Sequence, residues 1–110
     1  MKYPSNKKRK SYTIPCTVTE IWEDYVFVAC KYLTSVTIPK SVITIGSLNF
    51  QHCPVLTEII NHATTPQKIA NTVFYEIDKT KCTLFVPAAS FDAYRTADVW
   101  KNFVNIQEIN

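Results

Sequence analysis

The chain has 110 residues, a formal net charge of +3 at pH 7 and an apolar content of 46%, which is ordinary for a folded domain. It contains one glycine and no low-complexity tract, so its composition excludes intrinsic disorder over most of its length. No run of about 18 apolar residues is present, which excludes a membrane-spanning segment. The four cysteines lack CxxC spacing, which argues against a zinc ribbon or a thioredoxin-type site.

Much of the positive charge lies in the first ten residues, which include Lys2, Lys7, Lys8, Arg9 and Lys10. We predict that residues 1–11 form a basic, solvated and disordered arm. No apolar segment follows these charges, so the sequence as given has no signal peptide. The arm lacks interleaved aromatic residues and a recognition helix, which argues against a nucleic-acid partner.

The sequence then repeats itself. After 23 residues, Phe27, Cys30 and Leu33 return as Phe50, Cys53 and Leu56. After 24 residues, Ile14, Val18 and Ile21 return as Ile38, Val42 and Ile45. A repeat of this length predicts coils of chain that stack on one another. We therefore expect Phe27, Phe50 and Phe74 to lie in one column between the layers.

Each repeat begins with a short strand that carries three apolar residues. If the first of them is called x, the others stand at x+3 and x+5, as in Leu33, Val36 and Ile38. A proline such as Pro39 or Pro87 ends the strand, because proline lacks the N–H group that a sheet ladder needs. A second short extended piece follows, and its matching positions hold Val18 and Ile21, Val42 and Ile45, and Ile69. In the third copy Asn61 replaces the apolar residue, and residues 61–66 form a longer corner.

After Pro87 the period ends. Residues 88–95 predict a helix that Ser90 can cap, and Asp92 suits the positive end of the helix dipole. Trp100 and Phe103 follow after a bend, and a final strand-like alternation holds Val104, Ile106 and Ile109. Such an aromatic-rich, non-repeating end is what a stack of coils needs to cover its last open layer. We therefore predict a C-terminal cap over residues 88–110.

The repeat, with Leu33-Thr34-Ser35-Val36-Thr37-Ile38-Pro39 as its clearest strand, resembles the BspA-like leucine-rich repeats of bacterial surface proteins. The segment from Cys82 to Tyr94, followed by the segment from Trp100 to Ile106, is similar to the C-terminal cap of such arrays in Bacteroides-type bacteria. The resemblance covers about residues 12–109. It implies an α/β fold in which residues 12–87 form a right-handed solenoid of about three coils. Short parallel strands would alternate with short helical or 3-10 segments, and residues 88–110 would add a helix-plus-strand cap.

The same resemblance implies a cell-surface or secreted protein that binds other proteins through its repeats. The partners would be host extracellular-matrix proteins or other bacterial surface proteins, as for adhesins of this family. Neither an enzymatic activity nor a cofactor belongs to the repeat. The alternative is a structural role, in which the chain closes a longer array and binds no ligand of its own.

The outward face of the strands is the candidate binding site. If Val36 and Ile38 point into the core, the residues between them point outward. Applied to neighbouring strands, this alternation predicts a protein-binding face made of Ser35, Thr37, Glu58, Ile60, Thr83 and Phe85, with Thr13 beside it. Ile60 and Phe85 are the strongest candidates, because adjacent exposed apolar residues mark contact sites.

The cysteines are expected to be buried packing residues, because cysteine packs as a small apolar side chain. Cys30 and Cys53 stand in register, where a disulfide would need their Cβ atoms closer than the strand spacing allows, so we favour two free thiols. A reactive pair of Cys53 with His52 is disfavoured, since adjacent residues on a turn usually point apart. The two histidines alone are too few ligands for a metal site.

The N-terminal coil carries one further expectation. Its first strand is predicted to form an unpaired edge, which favours weak self-association. The positive charges of the arm oppose this association by repulsion.

Overall fold

The computed structural model describes residues 11–21, 34–45, 55–69 and 79–109. Seven strands lie in these ranges: β1 (Ser11–Thr13), β2 (Glu20–Ile21), β3 (Ser35–Ile38), β4 (Thr44–Ile45), β5 (Glu58–Asn61), β6 (Thr83–Val86) and β7 (Asn105–Glu108). Helix α1 spans Phe91–Thr96, between 3-10 helices at Ala88–Ser90 and Trp100–Asn102. Of the arm predicted over residues 1–11, only Ser11 is described, and it begins β1 instead of belonging to a disordered arm. Residues 1–10 lie outside the described residues, as do the predicted Phe27, Phe50 and Phe74 column, the Cys30 and Cys53 thiols and the Cys53–His52 pair.

Five of the strands form one parallel sheet in the order β1-β3-β5-β6-β7. Along β3 and β6, half-buried and buried residues alternate strictly, because successive side chains of a strand point to opposite faces. The inward positions hold β-branched or aliphatic residues, which pack well on a pleated surface. The predicted inward orientation of Val36 and Ile38 is confirmed, since both are fully buried.

The same proline turn follows three of the strands. The N–H groups of Val18, Val42 and Ser90 donate to the carbonyl oxygens of Pro15, Pro39 and Pro87, at 3.0, 3.1 and 2.9 Å respectively. After the first two of these turns, β2 and β4 pair in parallel and form a second, two-stranded ladder. The predicted strand, proline turn and second extended piece are therefore present in consecutive copies, and the chain has an α/β repeat fold.

The hydrophobic core lies on the inner side of both ladders. The large sheet contributes Tyr12, Val36, Ile38, Ile59, Leu84 and Val86, and the second ladder and its turns contribute Val18, Val42 and Ile45. Cap residues Tyr94, Trp100 and Phe103 close the same cluster. The edge of the Trp100 ring meets the Tyr94 ring at a centroid distance of 5.5 Å, and Phe103 stacks on Trp100 at 6.5 Å. One continuous core therefore runs from the repeats into the cap.

Three side chains of the cap donate hydrogen bonds to backbone carbonyls of the long corner after β5. Ser90 Oγ donates to the carbonyl of Thr64 at 2.6 Å, Tyr94 Oη to that of Ala63 at 2.8 Å, and Trp100 Nε1 to that of Gln67 at 2.8 Å. Ser90 does occupy the position before α1, as predicted, but its side chain makes no capping hydrogen bond. Its hydroxyl is used instead to hold the corner.

The predicted bend before Trp100 occurs at Val99, whose φ of 71° is rare for a β-branched residue. Such a conformation costs about 1–3 kcal/mol and persists only where the surroundings impose it. Val99 is buried, and the bend leads directly into the fully buried Trp100. Packing of these two side chains therefore holds the backbone in a conformation that valine alone would avoid.

Two sequence-based expectations are wrong in detail. Cys16 is exposed in the turn after β1, whereas Cys82 is buried as expected. Val104 lies outside the predicted final alternation, because its side chain is 74% exposed and β7 begins at the next residue. The strand continues the repeat spacing instead: Phe103 is buried, and Ile106 lies beside Leu84 in the register.

Candidate protein-binding face

The outer face of the large sheet carries two straight rows of side chains. The first row is formed by Ser11, Ser35, Glu58, Thr83 and Asn105, which are register partners on β1, β3, β5, β6 and β7. The second row is formed by Thr13, Thr37, Ile60, Phe85 and Gln107. In-register parallel pairing places equivalent residues of neighbouring strands about 4.8 Å apart.

The six predicted site residues all lie on this face, on three neighbouring strands. Glu58 is exposed, and Ser35, Thr37, Ile60, Thr83 and Phe85 are half-buried. Alternation along each strand explains their position, because each flanks a buried residue of the core. We refer to these six residues as the strand face.

Sequence reasoning missed the neighbours that β7 contributes. Asn105 Nδ2 donates to Thr83 Oγ1 at 3.1 Å, and Gln107 Nε2 donates to Asn105 Oδ1 at 2.7 Å. These hydrogen bonds order a polar strip beside the strand face. The signal that could have found it is the spacing of Phe103 and Ile106, which matches that of Leu56 and Ile59.

Ile60 and Phe85 form the apolar centre of the strand face. They are direct register partners, so the two side chains stand side by side on β5 and β6. Within their row they are bounded by Thr37 on one side and Gln107 on the other. The arrangement is a small apolar patch within a polar surround, as in the centre and rim of a protein interface.

The buried cysteine beside the strand face has an unreactive thiol at neutral pH. Cys82 immediately precedes β6 and is 1% exposed. Burial away from water raises the pKa of its thiol to about 12, with a smaller contribution in the same direction from the Glu58 carboxylate, while Lys79 acts in the opposite direction. Because the thiolate is the nucleophilic form, Cys82 is a packing residue at neutral pH.

Among residues 11–21, 34–45, 55–69 and 79–109, no group of three or more histidine, cysteine, aspartate or glutamate side chains could hold a metal ion. No helix within these ranges has both the length and the apolar character needed to cross a membrane.

The parallel strands, the recurring proline turns and the aligned outer rows define a repeat protein. The family model described as BspA type Leucine rich repeat region matches residues 3–109 with six copies of the repeat. The chain belongs to this family, which confirms the resemblance seen in its repeated phrase. A search of the curated proteins and a search of the solved structures found no match. Regions of this kind are typically non-enzymatic, protein-interacting parts of surface proteins.

Proposed function

We propose that this chain is a non-enzymatic, adhesin-like protein-binding module of a bacterial cell-surface or secreted protein. In this proposal the chain winds as a right-handed solenoid of about three coils. A host extracellular-matrix protein or another bacterial surface protein binds to the strand face. Repeat stacks commonly bind partners on such a face, because it presents aligned side chains on a rigid sheet.

The observation that carries the proposal is the pairing of Ile60 with Phe85 on the outer side of the sheet. Both side chains are half-buried, although neither belongs to the core cluster. Aromatic and aliphatic side chains at the centre of a polar rim contribute most of the free energy of binding in protein complexes. The ordered strip of Asn105 and Gln107 offers hydrogen-bonding groups beside this patch.

The test uses the chain with Phe85→Ser and Ile60→Ser, separately and together, against purified host matrix proteins and purified bacterial surface proteins. We expect each single change to weaken binding by about tenfold or more, since hot-spot truncations cost at least about 2 kcal/mol. Ile43→Ser is the matched control, because Ile43 is 70% exposed and lies off the large sheet. Biolayer interferometry gives the affinities, and circular dichroism confirms that each variant is folded.

A Phe85→Ser variant that binds as tightly as the Ile43→Ser control would remove the strand face from consideration. If Phe85→Ser and Ile43→Ser both lost binding, the cause would be a general loss of structure rather than a change in the strand face.

A second candidate is a structural role as the end of a longer repeat array. The hydrogen bonds from Ser90, Tyr94 and Trp100 favour it, because they fix the cap on the last corner of the repeats. A longer reading frame with further repeats upstream, together with no binding to either panel of proteins, would support this role over the first.

A further inference from the structure

Strand β7 ends the large sheet with backbone groups that face away from it. The N–H of Ile109 donates to the carbonyl of Val86 at 2.8 Å, so residue 109 faces β6. Backbone N–H and C=O groups point to alternate sides of a strand from one residue to the next, so Asn105 and Gln107 also face β6. Ile106 and Glu108 therefore direct their N–H and C=O groups outward, and no strand lies beyond β7 in the described part of the chain.

A groove lies at the start of this edge strand, where Ile106 is one of its lining residues. Its walls come from α1, from the 3-10 helix that follows it and from β7, and they include Phe91, Arg95, Lys101, Val104 and Ile106. Phe91 and Ile106 are half-buried and pack against the core, whereas Val104 is 74% exposed. The groove thus places apolar side chains next to outward-facing backbone groups, which is the combination that extended peptides use when they add a strand to a sheet.

The charge of the groove selects among possible occupants. Arg95 and Lys101 line it, and no acidic side chain does. Each cation has an acidic neighbour three residues before it in the chain: Asp92 lies 3.7 Å from Arg95, and Asp98 lies 3.6 Å from Lys101. Both of these pairs are exposed to solvent. Exposed pairs of this kind contribute little free energy, so a carboxylate that enters the groove can compete for the cations.

A second copy of the chain fits this groove poorly. Among the described strands, the other edge of the sheet is β1, and Lys7, Lys8, Arg9 and Lys10 directly precede that strand in the sequence. A second copy that joined β7 through its own β1 would therefore bring a strongly basic stretch of sequence to a groove that already holds Arg95 and Lys101. Like charges brought together in this way oppose association.

We propose that the edge of β7 binds an extended, acidic segment of a partner protein, which adds a sixth strand to the sheet. The segment pairs with the outward N–H and C=O groups of Ile106 and Glu108. An apolar side chain of the segment packs on Phe91 and Ile106, and a neighbouring carboxylate meets Arg95 or Lys101. This site is separate from the strand face and does not depend on the function proposed for that face.

The probe is a library of random twelve-residue peptides displayed on phage and selected on the whole chain. We expect the selected peptides to place aspartate or glutamate beside valine or isoleucine. In fluorescence anisotropy, a synthetic copy of a selected peptide should bind Glu108→Pro at least about tenfold more weakly than Glu108→Ala. Both variants lack the carboxylate, but only proline also lacks the outward N–H, and that N–H is not used for pairing with β6.

Three further measurements make the result specific. The Arg95→Glu, Lys101→Glu double variant should lose binding, while Lys40→Glu, Lys68→Glu, which makes the same change in charge elsewhere, should retain it. On binding, hydrogen exchange of the Ile106 and Glu108 amides should slow. Phe85→Ser should leave the peptide affinity unchanged, which separates this site from the strand face.

Three results would overturn the proposal. In the first, selection enriches no acidic sequence, and in the second, the enriched peptides bind Glu108→Pro and Glu108→Ala equally. In the third, sedimentation velocity reveals a dimer of the free chain that Glu108→Pro dissociates, so that a second copy occupies the edge.

Discussion

A buried pair of amides stands at the point where the repeat pattern changes. Asn61 occupies the register position of Ile38 on the neighbouring strand and is fully buried. Its Nδ2 donates to Gln67 Oε1 at 2.9 Å, and its Oδ1 accepts from the N–H of Ala63 at 3.1 Å. Gln67 Nε2 donates in turn to the carbonyl of Val42 at 2.9 Å. The two amides replace an apolar contact with hydrogen bonds that shape the long corner.

Replacing Gln67 by alanine should therefore destabilise the fold. The change removes the acceptor of Asn61 Nδ2 and the donor to the carbonyl of Val42, and it leaves both groups buried. An unsatisfied buried polar group costs about 1–3 kcal/mol, so we expect the free energy of unfolding to fall by about 2–4 kcal/mol. Urea unfolding followed by circular dichroism measures this change.

Gln107→Ala is the matched control, because it removes an amide that is also hydrogen-bonded but is exposed. We expect its effect to stay within about 0.5 kcal/mol. If the two alanine variants unfolded at the same urea concentration, the buried amide pair would have no special part in stability.

At the scale of single residues, the sequence predicts what a periodic pattern can encode. Strict alternation along each strand is sufficient to assign Thr37, Ile60 and Phe85 to the outer side of the sheet, where they lie in one row. Gln67 could not be found in this way, since a single glutamine in a corner has no period. The expectation that Cys16 is buried is wrong, because Cys16 lies in a turn, where alternation does not direct its side chain into the core.

At the scale of elements, the cap is attached to the repeats by polar contacts as well as apolar ones. A C-terminal cap with a helix and a strand follows from the aromatic-rich, non-repeating end of the sequence. The pairing of β7 with β6 does not, because Glu108 fills the position that Val86 holds on the preceding strand. Because Glu108 is charged, a search for apolar residues at the spacing x, x+3 and x+5 does not recognise this last copy of the repeat.

Trp100→Phe tests the attachment of the cap to the corner. The change keeps an aromatic ring but removes the Nε1 donor to the carbonyl of Gln67 and part of a fully buried side chain. The substitution removes a hydrogen bond and leaves a small cavity. Together these two effects predict a fall of about 2–4 kcal/mol in the free energy of unfolding. Val104→Ala, at an exposed position of the same cap, should change it by less than about 0.5 kcal/mol. Equal urea midpoints for the two variants would contradict an anchoring role for Trp100.

For the molecule as a whole, the parallel sheet and the cap share one core, and this core includes the titratable side chains of Cys82 and Tyr94. Cys82 precedes β6, and Tyr94 lies on α1. Burial raises the pKa of both groups, that of Cys82 from 9.0 to about 12 and that of Tyr94 from its usual value of 10.0 upward. In each case the folded protein favours the neutral form. The protonation of the core therefore links the stability of the repeats and of the cap to pH.

This linkage predicts that the protein loses stability in alkali. Below pH 9 the Cys82 thiol is protonated in both the folded and the unfolded chain, so its contribution to stability is complete. Between about pH 9 and 12 the unfolded chain releases the proton while the folded chain retains it. Each such group lowers the free energy of unfolding by up to about 1.4 kcal/mol per pH unit in that window.

Urea unfolding at pH 8, 9, 10 and 10.5 measures this slope, and Cys82→Ala isolates the contribution of the buried thiol. The variant starts from a lower stability because it loses packing, but its stability should fall less steeply with pH than that of the unmodified chain. If the stability of Cys82→Ala fell with pH as steeply as that of the unmodified chain, the thiol before β6 would ionise as readily in the folded chain as in the unfolded one. Cys82 would then have to lie where water reaches it, rather than in the core that joins the repeats to the cap.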